Sequence, residues 1–389
     1  TAGGDIAGTS LAAATGITIT GGGNIVLATM DAASGNIALD AQGTIDVDHA
    51  ESGGDFTATA QGNIATGLNS IITGGDIVIN AAGLVDLGNS SAGGLIDVTG
   101  SQIDYVSLLA ADTIALLVQI TASTASGSGN ITGGNTTTTS GAIGATTAFG
   151  STTLTGTASA ATTLTVSSSG NSSIANAISG GDTSITGASV TLNDGTIGGN
   201  LTINATAGDV NGTGAVIAGG AIDLNATGTV GFGDLEARSG TFTVDAGGNI
   251  NFTSAASSDD MSLNAGGVIS GGNLTSGGNL AVAALGGGFT GGVIAATGDV
   301  DSSATGDVSF TSISGGDIVR LAAVGNLVGG DVSAAESGQG HVAIRADNGM
   351  DIGNVSGNDI YLTATNGLVN VTNNVDVINI LVASGEAIA

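Results

Sequence analysis

Gly74-Gly75-Asp76-Ile77-Val78-Ile79-Asn80-Ala81-Ala82-Gly83 is the stretch on which the reading of this chain turns. Between two glycine-rich marks the residues alternate strictly, with Ile77 and Ile79 on one side and Asp76, Val78 and Asn80 on the other. That period of two belongs to a β-strand with one buried face. The same phrase returns as Gly199-Asn200-Leu201-Thr202-Ile203-Asn204-Ala205, Gly220-Ala221-Ile222-Asp223-Leu224-Asn225-Ala226 and Gly240-Thr241-Phe242-Thr243-Val244-Asp245-Ala246. It is still legible near the end, as Asn358-Asp359-Ile360-Tyr361-Leu362-Thr363-Ala364.

The alanines closing these phrases stand at 205, 226, 246, 265, 284, 304, 323, 346 and 364, in steps of 18 to 23 residues, and upstream at 41, 60 and 81. A period near twenty with small slips marks a solenoid, the slips falling in turns where an extra residue costs little. About twenty residues cannot hold a helix pair or a propeller blade, but they hold roughly three strands of four or five residues with tight turns between them. The expected fold is therefore an all-β, right-handed parallel β-helix of about nineteen coils, a rod about 90 Å long at the parallel-strand spacing, with handedness following the general rule for parallel connections. Asn211-Gly212, Asn348-Gly349, Asn366-Gly367 and Asp194-Gly195 are read as supplying turn residues able to take positive φ. The stretch 100–165 blurs the period and is read as irregular coils or a small excursion within a single domain, 1–389.

Composition supports this reading. The chain has 71 glycines, no proline, no cysteine and only 2% aromatics, yet 41% hydrophobic residues, so its core must be thin and aliphatic. Recurring Ile, Val and Leu argue against disorder, and the missing proline argues against collagen. Missing proline also suits strands that all donate to two neighbours. With 32 acidic residues against three arginines, the net charge of −29 excludes nucleic acid and anionic lipid as partners. The longest apolar run, Leu108–Ile120, is too short to span a bilayer and carries Asp112. No signal peptide is legible at Thr1-Ala2-Gly3-Gly4.

The phrases 74–83 and Gly219-Gly220-Ala221-Ile222-Asp223-Leu224-Asn225-Ala226-Thr227-Gly228 resemble the repeats of filamentous haemagglutinin-type adhesins, bacterial exoproteins of two-partner secretion. The resemblance covers nearly the whole chain, but autotransporter passengers use similar phrases. It implies a right-handed β-helix on or outside the outer membrane, serving adhesion, aggregation or biofilm. The proline-containing amino-terminal export module of that family is absent, so the resemblance is to an interior segment.

Candidate chemistry is sparse. Asp55, Asp76, Asp182 and Asp317, in the Gly-Gly-Asp turns, invite weak calcium binding, but the nonapeptide calcium array is missing and turn-capping is the preferred reading. Asp259-Asp260 is the one adjacent carboxylate pair a glycosidase could use, and it falls at a turn. His49 and His341 are read as solvated surface, as are Arg238, Arg320 and Arg345, which are too scattered for a lyase cleft. Thr162-Thr163-Leu164-Thr165-Val166 hints at an ice-binding ladder, though the outward positions elsewhere are too mixed. No catalytic residue, metal or cofactor is assigned. The function expected is a non-enzymatic adhesive or structural fibre segment at the bacterial surface, meeting a receptor or glycan. Its open ends would either continue into further chain or stack end to end with copies of itself. The alternatives are a self-assembling extracellular filament and a β-helical polysaccharide lyase or hydrolase.

Overall fold

A computed structural model describes residues 1–67, 70–118, 129–335, 340–384 and 387–388, with side chains described up to 377. Every element among them is a strand. The chain groups into two compact units, Thr1–Gly198 and Gly199–Ala389. Each is a parallel β-solenoid, as the alternation predicts.

In the first unit a coil begins with a five-residue strand such as Ile17–Gly21, Ile37–Ala41, Phe56–Ala60 or Ile77–Ala81. A corner then leads to a longer, bent strand such as Ile25–Ala32 or Ile45–Ser52. The bend divides that strand into two arms. Ile25, Leu27, Met30 and Ala32 are buried while Ala28 and Thr29, between the arms, are not. In one coil the bend separates the arms into Ile64–Ala65 and Ile71–Thr73. Each coil thus has three faces and three corners: the five-residue strand is face one, the arms are faces two and three, and the Gly-Gly-Asp turn is corner three. The period predicts three short strands; two of them run together because the chain turns the second corner without leaving extended backbone.

Register confirms the period. Ile17 pairs with Ile37, Ile37 with Phe56, Phe56 with Ile77, and Ile77 with Ile96, all in parallel. The alanines counted in the sequence lie directly above one another: Ala205 on Ala226, then Ala246, Ala265, Ala284, Ala304, Ala323, Ala346 and Ala364. Inward Ile, Leu and Val form columns beside them. Ile37, Phe56, Ile77 and Ile96 are each at most 1% exposed, and each such side chain contributes about 1.5–3 kcal/mol of burial.

Large inward residues are matched by glycines one coil up. Tyr105 pairs with Gly133, Phe252 with Gly271 and Phe310 with Gly329, and a Cβ on any of these glycines would fall on the ring below. Tyr105 is buried, and its hydroxyl shares a 2.7 Å hydrogen bond with Thr136. Burial pushes the phenol up to about 12, and that bond offsets the shift only in part.

Across 100–165 the rungs continue: Ile103 pairs with Ile131, Ile114 with Ile143, and Ile143 with Leu164. Ile103 and Ile131 stand 28 positions apart, so this coil carries extra chain, and register shifts occur beyond it at Gly133/Thr136 and Leu154/Thr157. Residues 119–128, where an excursion would fall, lie outside the described residues.

One expectation is corrected. Among the described residues only Gly67 and Gly129 have positive φ. Gly195 lies inside the strand Val190–Ile197, and Asn211 ends the strand Val210–Asn211. The repeated glycines answer instead to close approach between coils, which the corners explain.

Candidate functional site

The Gly-Gly-Asp corner is a device for stacking. Asn36 Oδ1 accepts the Asp55 amide at 2.9 Å, Asp55 Oδ1 accepts the Asp76 amide at 3.0 Å, and Asp76 Oδ1 accepts the Leu95 amide at 2.9 Å. Each side chain therefore satisfies a turn N–H about one coil above it, a donor that the bent backbone cannot pair. To reach that donor the oxygen crosses the α-carbon of the preceding residue. A Cβ on Gly75 or Gly94 would lie 2.1 Å from Asp55 Oδ1 or 2.0 Å from Asp76 Oδ1, far inside contact distance. This is why glycine precedes Asp or Asn in the phrase.

The same bond recurs at the other corners. At corner one, Asp5 holds the Asn24 amide at 2.7 Å and Asp307 holds Asn326 at 2.7 Å. At corner two, Asn135 holds Thr157 at 3.0 Å and Asp331 holds Asn354 at 3.1 Å. Asn serves as well as Asp, because only one acceptor oxygen is needed. Buried hydroxyls cap corner three from inside, Ser52 on the Gly54 carbonyl at 2.9 Å and Thr73 on Gly75 at 3.0 Å.

Of the four calcium candidates, Asp55 and Asp76 are members of this ladder. Asp182 is exposed in an equivalent turn before Thr183. Asp317 is one residue out of register: Ile318 occupies the slot, its amide bonded to Asp299 Oδ1 at 3.1 Å, and Asp317 stands exposed. Among the described residues no three His, Cys, Asp or Glu side chains gather as a metal site would require. Asp260 is likewise a ladder residue, accepting the Asn279 amide at 2.7 Å, and the Asp259 carbonyl accepts from Ser257 and Ser276 at 2.7 and 2.8 Å.

Arg238, Arg320, Arg345 and His341 carry exposed side chains. His49 lies half-buried at the bend of Ile45–Ser52. His341 pairs with Ile318 below and Asp359 above, and so stands in the corner-three slot, where its Nδ1 meets Asp359 Oδ2 at 2.9 Å. The signal was available: 341 and 359 are one repeat apart in the slot that Asp or Asn usually fills. Arg320 and Arg345, scattered in the sequence, share face one on adjacent coils, because Arg320 pairs with Ala343 and Ala322 with Arg345. Arg238 is not with them. Each arginine is met by a carboxylate: Arg238 by Glu236 at 3.0 Å, Arg320 by Asp301 at 3.8 Å, Arg345 by Asp347 at 3.0 Å. An open groove beside Arg345 is floored by Ala304 and Ala323 and edged by Leu285 and Val324.

Among the described residues no helix is long and apolar enough to cross a membrane. No known protein family matches the chain, and neither does any curated protein or solved structure.

Proposed function

We propose that this chain is a non-enzymatic structural and adhesive segment of a secreted bacterial surface fibre. The observation that supports it best is where the polar side chains work. Asp, Asn, Ser and Thr at the corners bond to the backbone of adjacent coils, as Asp55 does to Asp76, and so hold the stack together. Each arginine is paired with a carboxylate of its own neighbourhood, and Arg345 lines the open groove without Arg238 or Arg320. A stack of this kind grows by adding coils, and its acidic exterior resists non-specific association. Surface location, export and a receptor or glycan partner belong to the same proposal and rest on composition and the repeat phrase.

Electron microscopy of the purified chain, paired with an oligosaccharide-release assay on neutral and acidic polymers, tests it. Single thin rods without turnover are expected. Long uniform threads would favour a self-assembling filament, and sustained turnover would overturn the non-enzymatic reading.

A further inference from the structure

From Thr113 to Gly181 the sequence contains no Asp, Glu, Lys, Arg or His, although the chain carries 32 acidic residues elsewhere. The described coils of this stretch form a charge-free belt, and one corner of the belt is unusual. Phe149 is 67% exposed, more than any other large hydrophobic side chain described. It stands out because its corner is longer than normal. Ser169 donates to the Thr147 carbonyl and Gly170 to Gly150, which leaves Ala148 and Phe149 both outside the ladder. At the equivalent corner, where Gln42 donates to Gly21 and Gly43 to Gly23, only Gly22 is left out. The loop is held from within by the buried Thr147, whose hydroxyl donates to the Gly150 carbonyl at 2.8 Å.

Columns of alcohols flank the ring on both adjoining faces. On face one, Thr146, Ser167 and Thr186 stack in register. On face two, Thr132, Thr153, Ser173 and Thr191 do the same. The nearest carboxylate on the face-two column, Asp104, lies two coils below Thr153. That is about 10 Å, a full screening length at physiological ionic strength.

We infer that this corner binds a neutral polysaccharide, with Phe149 as the platform for the apolar face of a sugar ring and the two alcohol columns meeting its hydroxyls. A charged occupant would lose hydration here and find no counter-charge. Each threonine and serine hydroxyl offers both a donor and an acceptor, as a sugar hydroxyl does. An exposed aromatic ring in a rigid setting is a typical anchor for recognition. The protruding ring does not suit ice, which needs a flat face. The inference rests on the adhesive reading for its purpose but is tested separately from it.

The test is native gel electrophoresis of the full chain through galactomannan, xyloglucan, mixed-linkage glucan or dextran, with alginate as the acidic control. Retardation by at least one neutral polymer is expected, equal at low and high salt, weakened about tenfold in Phe149→Ala and kept in Phe149→Trp. Absence of retardation by every neutral polymer would overturn the assignment, as would retardation unchanged in Phe149→Ala or salt-sensitive binding to alginate. Self-association lost in Phe149→Ala, without polymer binding, would assign the corner to a second copy instead. Rods on grids without retardation sink the glycan assignment alone; retardation without rods sinks the fibre reading alone.

Discussion

If Asp55 Oδ1 is what forbids a side chain at position 75, then Asp55→Ala and Gly75→Ala must not be additive. In Gly75→Ala the new Cβ falls on Asp55 Oδ1 and lies 3.1 Å from the Gly54 carbonyl carbon. The carboxylate is the end of a flexible side chain and can swing away, but it then abandons the Asp76 amide, 3.0 Å distant. Both residues are half-buried, so water partly replaces that bond and the cost is about 1 kcal/mol. Residual crowding against Gly54 adds a few tenths of a kcal/mol, roughly offset by the lower entropy of an unfolded alanine. Asp55→Ala loses the same bond and also costs about 1 kcal/mol. With the oxygen gone, the second substitution meets little resistance, so the double variant also costs about 1 kcal/mol, a coupling of about −1 kcal/mol. A stack need not unfold in one step, so local opening is the quantity to measure, from native-state hydrogen exchange of the Ile77–Ala81 amides. Costs that simply add would refute the account of why glycine precedes aspartate.

Ser302 is 1% exposed, has an unpartnered hydroxyl and lies between Val282 and Leu321 in an aliphatic column, so Ser302→Val should stabilise by about 1–2 kcal/mol, read as a higher urea midpoint. A lower midpoint would contradict it. Tyr105→Phe strips Thr136 of its 2.7 Å partner inside the core and should cost about 1–2 kcal/mol, while Tyr361→Phe, at an exposed site, should be neutral by the same urea titration. Asp86 stacks on Asp104, and partial burial together with repulsion from that neighbour raises its carboxyl above the ordinary 3.8. A raised carboxyl favours the fold in acid and loses that contribution as pH climbs from 3.8 through the folded value. Asp86→Asn should therefore be the more stable protein at neutral pH and lose that advantage below pH 3.8, as parallel urea titrations would show.

The stacking itself was legible because Ala205, Ala226 and Ala246 mark equivalent points of successive coils, and spacing alone reports register when every coil repeats one phrase. Handing Asp55 and Asp76 a turn role was within reach too. The reason for the glycines was not, since a sequence shows Asp76 next to Gly75 but not the carboxylate lying over that glycine from Asp55, 20 positions earlier. Asp317 shows the same blindness: one extra residue in a turn moved Ile318 into the corner slot, and only the pairing of Ile318 with His341 reveals it. Arg320 and Arg345 stand 25 positions apart, more than one nominal repeat, which hid their adjacency. Phe149 could have been noticed as the sole aromatic in an uncharged stretch, but its projection depends on which carbonyls Ser169 and Gly170 choose.

The account stands on coils lying in register, and nuclear Overhauser contacts between alanine methyls report that register directly. In an otherwise deuterated sample, methyl-labelled Ala205, Ala226, Ala246, Ala265, Ala284 and Ala304 should show contacts each to the next, about 5 Å apart, and none to the one after, about 10 Å away. Contacts confined to alanines close in sequence, or linking alanines two repeats apart, would contradict it.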